Sequence, residues 1–207
     1  MSYLSIELYL KDHKALVIGA PQGELRSKID RLLQAGAFVT VIAPPECVDA
    51  LDAFGQTHHD PRLELVCRKA VEEDAIGKSI VFLAPGDDAL SLALHAYGRK
   101  TGTPVCTLDR PEMSTFINPA TVCVSGLRIS VGTQGTSPSL ARRIREDLEL
   151  LFSDEAFARF MNKLAGLRAA LPRGERAARM KEAVLGFGIE ARLHLPSWFS
   201  RGEEPPS

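Results

Sequence analysis

Short apolar runs alternate with stretches of helical periodicity over the first half of the chain. Residues 14–18 (KALVI) and 38–43 (FVTVIA) are mostly apolar and have the length of buried strands. Between them, apolar residues recur at the spacing of one helical face: Leu25, Ile29, Leu32 and Leu33. Gly19 follows the first run and Gly36 precedes the second. This succession predicts a βαβ unit, whose crossover connection makes the two strands parallel.

The same alternation continues further along the chain. Strand-like runs occupy residues 63–67, 79–84 and 104–108, and a helix is predicted over 87–100. We therefore predict an α/β fold in which residues 1–112 form a doubly wound parallel sheet of about five strands. Ligands of such sheets bind at the carboxyl ends of the strands, so the residues that follow each strand are the candidate site residues.

The pattern changes after the last of these runs. Residues 121–124 and 127–131 are strand-like and are separated only by Ser125 and Gly126, which predicts an antiparallel hairpin. An amphipathic helix is then predicted over 137–152. The hairpin and this helix form a small α+β region that follows the sheet.

The rest of the chain is predicted to be helical. Periodic apolar positions cover residues 154–170 and 174–186, with a break at Pro172. We assign residues 153–199 to a C-terminal helical region. The last residues, 200–207, are polar and include two prolines, which predicts a disordered tail.

Composition limits the classes of partner. The formal net charge of the 207-residue chain is −1 at pH 7, and 45% of its residues are hydrophobic. A chain of this size and composition can bury a real core. Balanced charge argues against attraction to nucleic acid or to an anionic membrane, so the expected partners are small anions.

The cysteines and the N-terminal stretch bear on the compartment. Four widely spaced cysteines form no C-x-x-C pair and are expected to be reduced: Cys47, Cys67, Cys106 and Cys123. Glu7, Lys11 and Asp12 interrupt the first apolar stretch, so no signal peptide is predicted. No segment approaches the roughly 18 apolar residues of a membrane span. The expected location is the cytoplasm.

Residues 130–145 (SVGTQGTSPSLARRIR) lead from a strand to a helix through a loop rich in glycine and hydroxyl groups. Backbone N–H groups, the positive end of a helix dipole and nearby arginines together favour an anionic ligand. The arginines are Arg142, Arg143 and Arg145. Thr136 or Ser137 followed by Pro138 is also typical of an ordinary helix start, so the loop alone leaves both interpretations open.

The first turn of the sheet resembles a dinucleotide-binding turn only in its position. Residues 19–23 (GAPQG) lack the spacing G-x-G-x-x-G, and Pro21 removes an N–H donor. No acidic residue comes directly after the second strand, where Ala43 and Pro44 stand in place of a carboxylate that would bind the ribose. A plain tight turn is the alternative interpretation.

Three aspartates follow strands at the expected edge. Asp109 comes after the last parallel strand, so its carboxylate is predicted to face the crevice, where it could take a proton or help to hold a metal. The alternative is a turn-forming aspartate bonded to a local N–H group. Asp87 and Asp88 fit better as the N-cap and first-turn acid of the following helix.

Four stretches resemble, in the same order, the precorrin-2 dehydrogenase and sirohydrochlorin ferrochelatase family. This module occurs alone or at the N terminus of siroheme synthases. The stretches are YLSIELYLKDHKALVI (3–18), RLLQAGAFVTVIAP (31–44), LDRPEMSTFINP (108–119) and ISVGTQGTSPSLARRIREDL (129–148). The most specific of them contains the core T-x-G-x-S-P-x-L-A-R-x-I-R, residues 133–145.

The resemblance implies a homodimer. Its Rossmann-like domain, residues 1–112, would bind NAD, and residues 113–152 would form the dimerisation region. The implied reaction is NAD-dependent oxidation of precorrin-2 to sirohydrochlorin, followed in bifunctional members by insertion of Fe²⁺ or Co²⁺. Asp109 aligns with the aspartate that the family uses in both steps. The implied cofactor contacts are Gly19, Gln22, Gly23, Ala43, Pro44 and Asp87. The implied contacts to the tetrapyrrole are Ser114, Thr133, Gln134, Gly135, Thr136, Ser137 and Arg142.

The chain departs from the family pattern at the cofactor turn. The family has G-G-G-x-[VI]-A-x-R-K, whereas this chain has GAPQGELRS over residues 19–27, and Glu24 adds a negative charge near the expected pyrophosphate. Two alternatives follow. One is a chelatase without NAD binding, and the other is a non-catalytic tetrapyrrole-binding protein, against which Asp109 argues.

Overall fold

The structure is a computed structural model that describes residues 4–204. Within them the chain divides into two compact units. The first comprises residues 4–120 and 130–141, and the second comprises 121–129 and 142–204. The outermost ends of the predicted first domain and of the predicted tail, residues 1–3 and 205–207, lie outside the described residues.

A five-stranded sheet with the order β3-β2-β1-β4-β5 forms the centre of the first unit. All four neighbouring pairs are parallel. The strands are β1 (Lys14–Ile18), β2 (Phe38–Ala43), β3 (Leu63–Cys67), β4 (Ile80–Leu83) and β5 (Val105–Thr107). This order is that of the first five strands of a dinucleotide-binding sheet, and the predicted α/β fold is confirmed.

Helices cover both faces of this sheet. On one face lie α1 (Gly23–Gln34) and α2 (Val48–Gly55), whose buried apolar residues join the inward residues of the strands. On the other face lies α3 (Asp88–Thr101), which buries Leu94 in a second cluster. Helix α2 was not predicted from the sequence, since this helix has only eight residues and follows the double proline at residues 44–45.

Short 3₁₀ helices complete the connections of the sheet. They are Pro45–Cys47 after β2, Glu72–Ala75 between β3 and β4, and Pro111–Met113 after β5. After the 3₁₀ helix Pro111–Met113 the chain returns alongside β5, so this helix determines the structure around Asp109.

After the sheet, β6 (Ala120–Val124) and β7 (Leu127–Val131) form the predicted hairpin. Ser125 and Gly126 both have positive φ angles, 50° and 82°, as a type I′ turn requires. Four helices follow: α4 (Pro138–Phe152), α5 (Glu155–Ala170), α6 (Arg176–Ala183) and α7 (Ser197–Ser200). No helix within residues 4–204 is long and apolar enough to cross a membrane.

The second unit has little core of its own. Among its described residues only Val122 and Phe152 are buried apolar side chains. Phe152 contacts Phe157, with ring centroids 4.9 Å apart, and Phe187 stacks on Phe160 at 5.7 Å. Several large apolar residues of this unit are exposed: Leu150, Leu151, Leu185, Phe187, Ile189, Leu193, Leu195 and Phe199.

Candidate functional site

The turn after β1 packs closely against the end of β4. Gly19 has a φ angle of +124°, and a Cβ atom there would lie 2.7 Å from Cβ of Ala84. The N–H group of Gly19 donates to the carbonyl of Ile42 at 2.8 Å, and the N–H group of Ala84 donates to that of Ile18 at 2.8 Å. These bonds bring the carboxyl ends of three strands together, with glycine required at the point of closest approach.

The start of α1 is open on the side where a phosphate could bind. Gln22 is exposed and extended, and no side chain caps the helix there. A Cβ atom on Gly23 would meet nothing within 4 Å. Pro21 is buried, so its ring does not occupy this space. The first N–H groups of a twelve-residue helix can therefore receive an anion.

The charge of Glu24 is compensated. Its carboxylate lies 2.7 Å from Nζ of Lys28, whose side chain is only 7% exposed. The same Nζ lies 5.9 Å from the ring centroid of Phe82. Lys28 was not predicted as a site residue from the sequence. Its position on the apolar stripe, four residues after Glu24, is the spacing that indicates an ion pair on one helix face. Pairing with a buried ammonium group reduces the repulsion that Glu24 would exert on a bound phosphate.

The other candidate cofactor contacts, Ala43 with Pro44 and Asp87, have different structural environments. Ala43 is fully buried, and Pro44 accepts a hydrogen bond from the N–H group of Cys47 at 2.8 Å. The half-buried Pro44 presents apolar surface at the edge of the sheet, whereas Ala43 is enclosed within it. Asp87 caps α3, because its Oδ1 accepts from the N–H group of Leu90 at 2.9 Å. The capping role that the sequence indicated for Asp87 is therefore seen.

Asp109 is exposed just beyond β5 and adopts a left-handed backbone conformation, with a φ angle of +58°. The turn is closed by the N–H group of Arg110, which donates to the carbonyl of Thr107 at 3.2 Å. Within residues 4–204 the Asp109 carboxylate has no hydrogen-bond or ion-pair partner. A left-handed conformation costs a non-glycine residue about 1–2 kcal/mol. Such an outlier with an unused carboxylate is typical of a functional position.

Arg110 ties this turn to its surroundings. Its guanidinium contacts Asp88 at 3.2 Å and Glu112 at 2.5 Å. The hydrogen bond from Arg110 lowers the pKa of Glu112, so this acid stays ionised. Burial raises the pKa of the Cys106 thiol on β5, despite the opposing charge of Lys28. Cys106 is therefore a neutral neighbour.

The Ser114 hydroxyl is engaged by the protein itself. It accepts from the N–H group of Thr107 at 3.0 Å and donates to the carbonyl of Arg110 at 2.9 Å. Both partners belong to the turn that contains Asp109. The resemblance assigns Ser114 to the tetrapyrrole, and that assignment stays a prediction; in the structure its hydroxyl bonds to both ends of the turn.

The loop after β7 belongs to the same compact unit as the sheet. Thr133 Oγ1 donates to the carbonyl of Ser137 at 3.0 Å, and Ser137 Oγ caps α4 by accepting from the N–H group of Leu140 at 3.2 Å. Gln134 and Gly135 have φ angles of 53° and 84° in a tight turn. The helix-start interpretation is therefore correct for Ser137. Three of the candidate residues in this loop are exposed: Gln134, Gly135 and Thr136.

The arginines of α4 belong to the second unit and are paired along the helix. Arg142 contacts Glu146 at 3.0 Å, Arg143 contacts Asp147 at 2.9 Å, and Arg145 contacts Glu149 at 2.6 Å. The bond from Arg142 lowers the pKa of Glu146. Exposed pairs of this kind are weak, about 0.3–0.5 kcal/mol, so a ligand carboxylate can replace the helix partner of Arg142.

Residues 6–120 match the family model described as "Putative NAD(P)-binding". This chain belongs to that NAD(P)-binding family. The match covers more than half of the 207 residues and includes the whole five-stranded sheet. Within residues 4–204 of this NAD(P)-binding protein, no group of three or more histidine, cysteine or acidic side chains could hold a metal ion.

Curated relatives of this NAD(P)-binding protein are named siroheme synthases. Siroheme synthase 1 of Halorhodospira halophila is 35% identical over 212 residues, which cover 98% of this chain and 42% of that protein. Siroheme synthase of Gluconacetobacter diazotrophicus is 32% identical over 197 residues, which cover 91% of this chain and 41% of that protein. The chain thus spans less than half the length of these relatives.

A solved structure with the same fold is that of SirC, precorrin-2 dehydrogenase. It matches this NAD(P)-binding protein with a TM-score of 0.66 and 23% identity, over 88% of this chain and 89% of that one. At this identity the likeness bears on the fold. Together with the siroheme synthase relatives, it confirms the family resemblance found in the sequence.

Proposed function

We propose that this chain oxidises precorrin-2 to sirohydrochlorin with NAD⁺ as the hydride acceptor. The observation that carries the proposal is the unpartnered Asp109 carboxylate at the edge of an NAD(P)-binding sheet. The siroheme synthase relatives and the fold shared with SirC, which is named a precorrin-2 dehydrogenase, support the same reaction.

The residues at the first turn fit a dinucleotide. The open start of α1 at Gln22 and Gly23 offers N–H groups to the pyrophosphate, and the half-buried Pro44 offers apolar surface at the edge of the sheet. Bound NAD⁺ would supply the hydride acceptor. NAD⁺ is preferred over NADP⁺ because Glu46, three residues after the end of β2 and within the 3₁₀ helix Pro45–Cys47, places a negative charge near the edge of the sheet, where an additional ribose phosphate would be repelled.

The substrate is a polycarboxylate, and the chain provides complementary groups for it. The start of α4 offers a helix dipole and the exposed loop residues Gln134 to Thr136. Arg142 adds a guanidinium that its weak pair with Glu146 leaves available.

The oxidation removes one hydride and one proton from precorrin-2. Asp109 accepts the proton and releases it to water.

The same carboxylate supports metal insertion as a second candidate activity. Chelation of Fe²⁺ or Co²⁺ by sirohydrochlorin displaces two pyrrole protons, and Asp109 is free to take them up in turn. The metal is a substrate in this reaction. A chelatase without NAD binding was suggested by Pro21 and Glu24, but Pro21 is buried and Glu24 is paired with Lys28. The dehydrogenase is therefore favoured.

Purified full-length protein should be mixed with precorrin-2 and NAD⁺ without oxygen, while NADH and the tetrapyrrole spectrum are followed. We expect NADH to form in step with sirohydrochlorin, and faster with NAD⁺ than with NADP⁺. Failure to form NADH in protein that binds NAD⁺ by calorimetry would overturn the proposal. Metal insertion without NAD⁺ binding would favour the chelatase, and tetrapyrrole binding without either reaction would favour a non-catalytic protein.

We also propose that the second unit mediates a homodimer. Its exposed apolar residues outnumber its buried ones, and the exposed fractions of Leu150 and Leu185 are 73% and 75%. A second copy is the occupant that the family resemblance implies. Sedimentation equilibrium should give twice the chain mass. Leu150→Lys should weaken the dimer, whereas Leu92→Lys on α3 should leave it intact. A parent protein that sediments as a monomer would rule the dimer out.

We place the reaction in the cytoplasm. All four cysteines, at positions 47, 67, 106 and 123, are free thiols. Free thiols on a chain of this kind favour a reducing compartment, where NAD⁺ is also available.

A further inference from the structure

Ser114 joins the two ends of the turn that presents Asp109. The turn runs from Thr107, the last residue of β5, to Arg110. Ser114 Oγ accepts from the N–H group of Thr107 at 3.0 Å. It also donates to the carbonyl of Arg110 at 2.9 Å, with the carbonyl of Thr107 as a second acceptor at 3.2 Å. The Ser114 hydroxyl group therefore links the two ends of the turn.

The conformation of Asp109 makes this closure important. A φ angle of +58° is tolerated by aspartate better than by most non-glycine residues, and the hydrogen bonds around the turn help to keep Asp109 in it. The turn has one internal hydrogen bond, from the N–H group of Arg110 to Thr107, at 3.2 Å. The bonds to Ser114 are shorter and reach the chain on both sides of Asp109.

We propose that Ser114 is a positioning residue that keeps the Asp109 carboxylate in its place for the proton transfer. This role rests on the proposed function. A serine hydroxyl has a single proton to donate, and here both acceptors within its reach, the carbonyls of Arg110 and Thr107, belong to the turn. Ser114 therefore acts on Asp109 through the turn.

Thr115 offers a matched control. Its hydroxyl accepts from the N–H group of Val105 at 2.8 Å, so it makes the same kind of bond to the same strand. Val105 lies at the start of β5, outside the turn that contains Asp109. Loss of the Thr115 hydroxyl should loosen the strand without moving the carboxylate.

The test compares Ser114→Ala, Ser114→Thr and Thr115→Val in the full chain. Ser114→Ala should lower kcat for precorrin-2 oxidation about tenfold or more, since small displacements of a catalytic group have large effects, and should leave the Kd for NAD⁺ unchanged. Ser114→Thr restores a hydroxyl and should recover most of kcat. Thr115→Val should keep kcat within about twofold of the parent.

Amide hydrogen exchange of Arg110 gives a readout that does not need turnover. We expect exchange to become about tenfold faster in Ser114→Ala and to stay unchanged in Thr115→Val. Faster exchange with an unaltered kcat would reduce Ser114 to a structural residue and overturn the proposal. A parent protein that does not oxidise precorrin-2 would refute the proposed function. Unchanged exchange in Ser114→Ala would separately show that Ser114 does not hold the turn.

Discussion

Asp109→Asn is expected to lower the turnover of precorrin-2 about 100- to 10,000-fold, the usual effect of losing a positioned proton acceptor. Asparagine is nearly isosteric with aspartate and tolerates the left-handed conformation that residue 109 adopts. The change therefore removes the charge and keeps the turn. The measurement is NADH formation under saturating NAD⁺ and precorrin-2, without oxygen.

Two controls accompany Asp109→Asn. The Kd for NAD⁺ and the urea midpoint should match those of the parent, because the carboxylate has no partner within the described residues that its loss could leave unsatisfied. Asp109→Gly should be equally inactive with an intact fold, since glycine adopts positive φ angles freely. Turnover of Asp109→Asn within about threefold of the parent would mean that another group accepts the proton.

Gly19→Ala is expected to destabilise the first unit by about 3 kcal/mol or more, from overpacking and backbone strain together. The added Cβ atom would lie 2.7 Å from Cβ of Ala84 and 2.9 Å from Cδ1 of Leu25. Leu25 is buried in the core of the unit, and the partly buried Ala84 packs against that core, so the added atom has little room. Urea denaturation, analysed for the midpoint and slope, gives the change in free energy of unfolding.

Gly77→Ala separates the two contributions to the Gly19 effect. Gly77 also has a positive φ angle, +72°, but a Cβ atom there would meet nothing within 4 Å. Backbone strain alone should therefore lower the free energy of unfolding of Gly77→Ala, by about 1 kcal/mol. Combining Gly19→Ala with Ala84→Gly should recover part of the loss, because the clashing atom is removed. Equal losses in Gly19→Ala and Gly77→Ala would show that close packing against Ala84 is unimportant.

The elements that the sequence predicts well are those with a local cause. The limits of β1, β2 and β3 agree residue for residue with the apolar runs 14–18, 38–43 and 63–67. The hairpin turn at residues 125–126 was equally clear, because a type I′ turn demands residues that accept positive φ angles. In contrast, α2 was not predicted, since eight residues are too few to show a clear helical periodicity.

The candidate site could be predicted in outline. Asp109 was located by its position after a parallel strand, and it lies exposed just beyond β5; its role in the site stays a prediction. The left-handed conformation of Asp109 was not predictable, because it results from bonds to Arg110 and Ser114 within a folded turn. The pairing of Glu24 with Lys28 also depends on burial, which the sequence does not report.

Sequence alone determined the α/β class and the parallel sheet and predicts the edge at which a ligand would bind, because hydrophobic periodicity and the residues after each strand are local properties. Only the tertiary structure decided what each polar group there can do. Lys28 became the buried partner of Glu24, Arg142 became paired with Glu146, and Ser114 became part of a turn. The physical reason is that charge compensation and hydrogen bonding depend on neighbours that folding brings together.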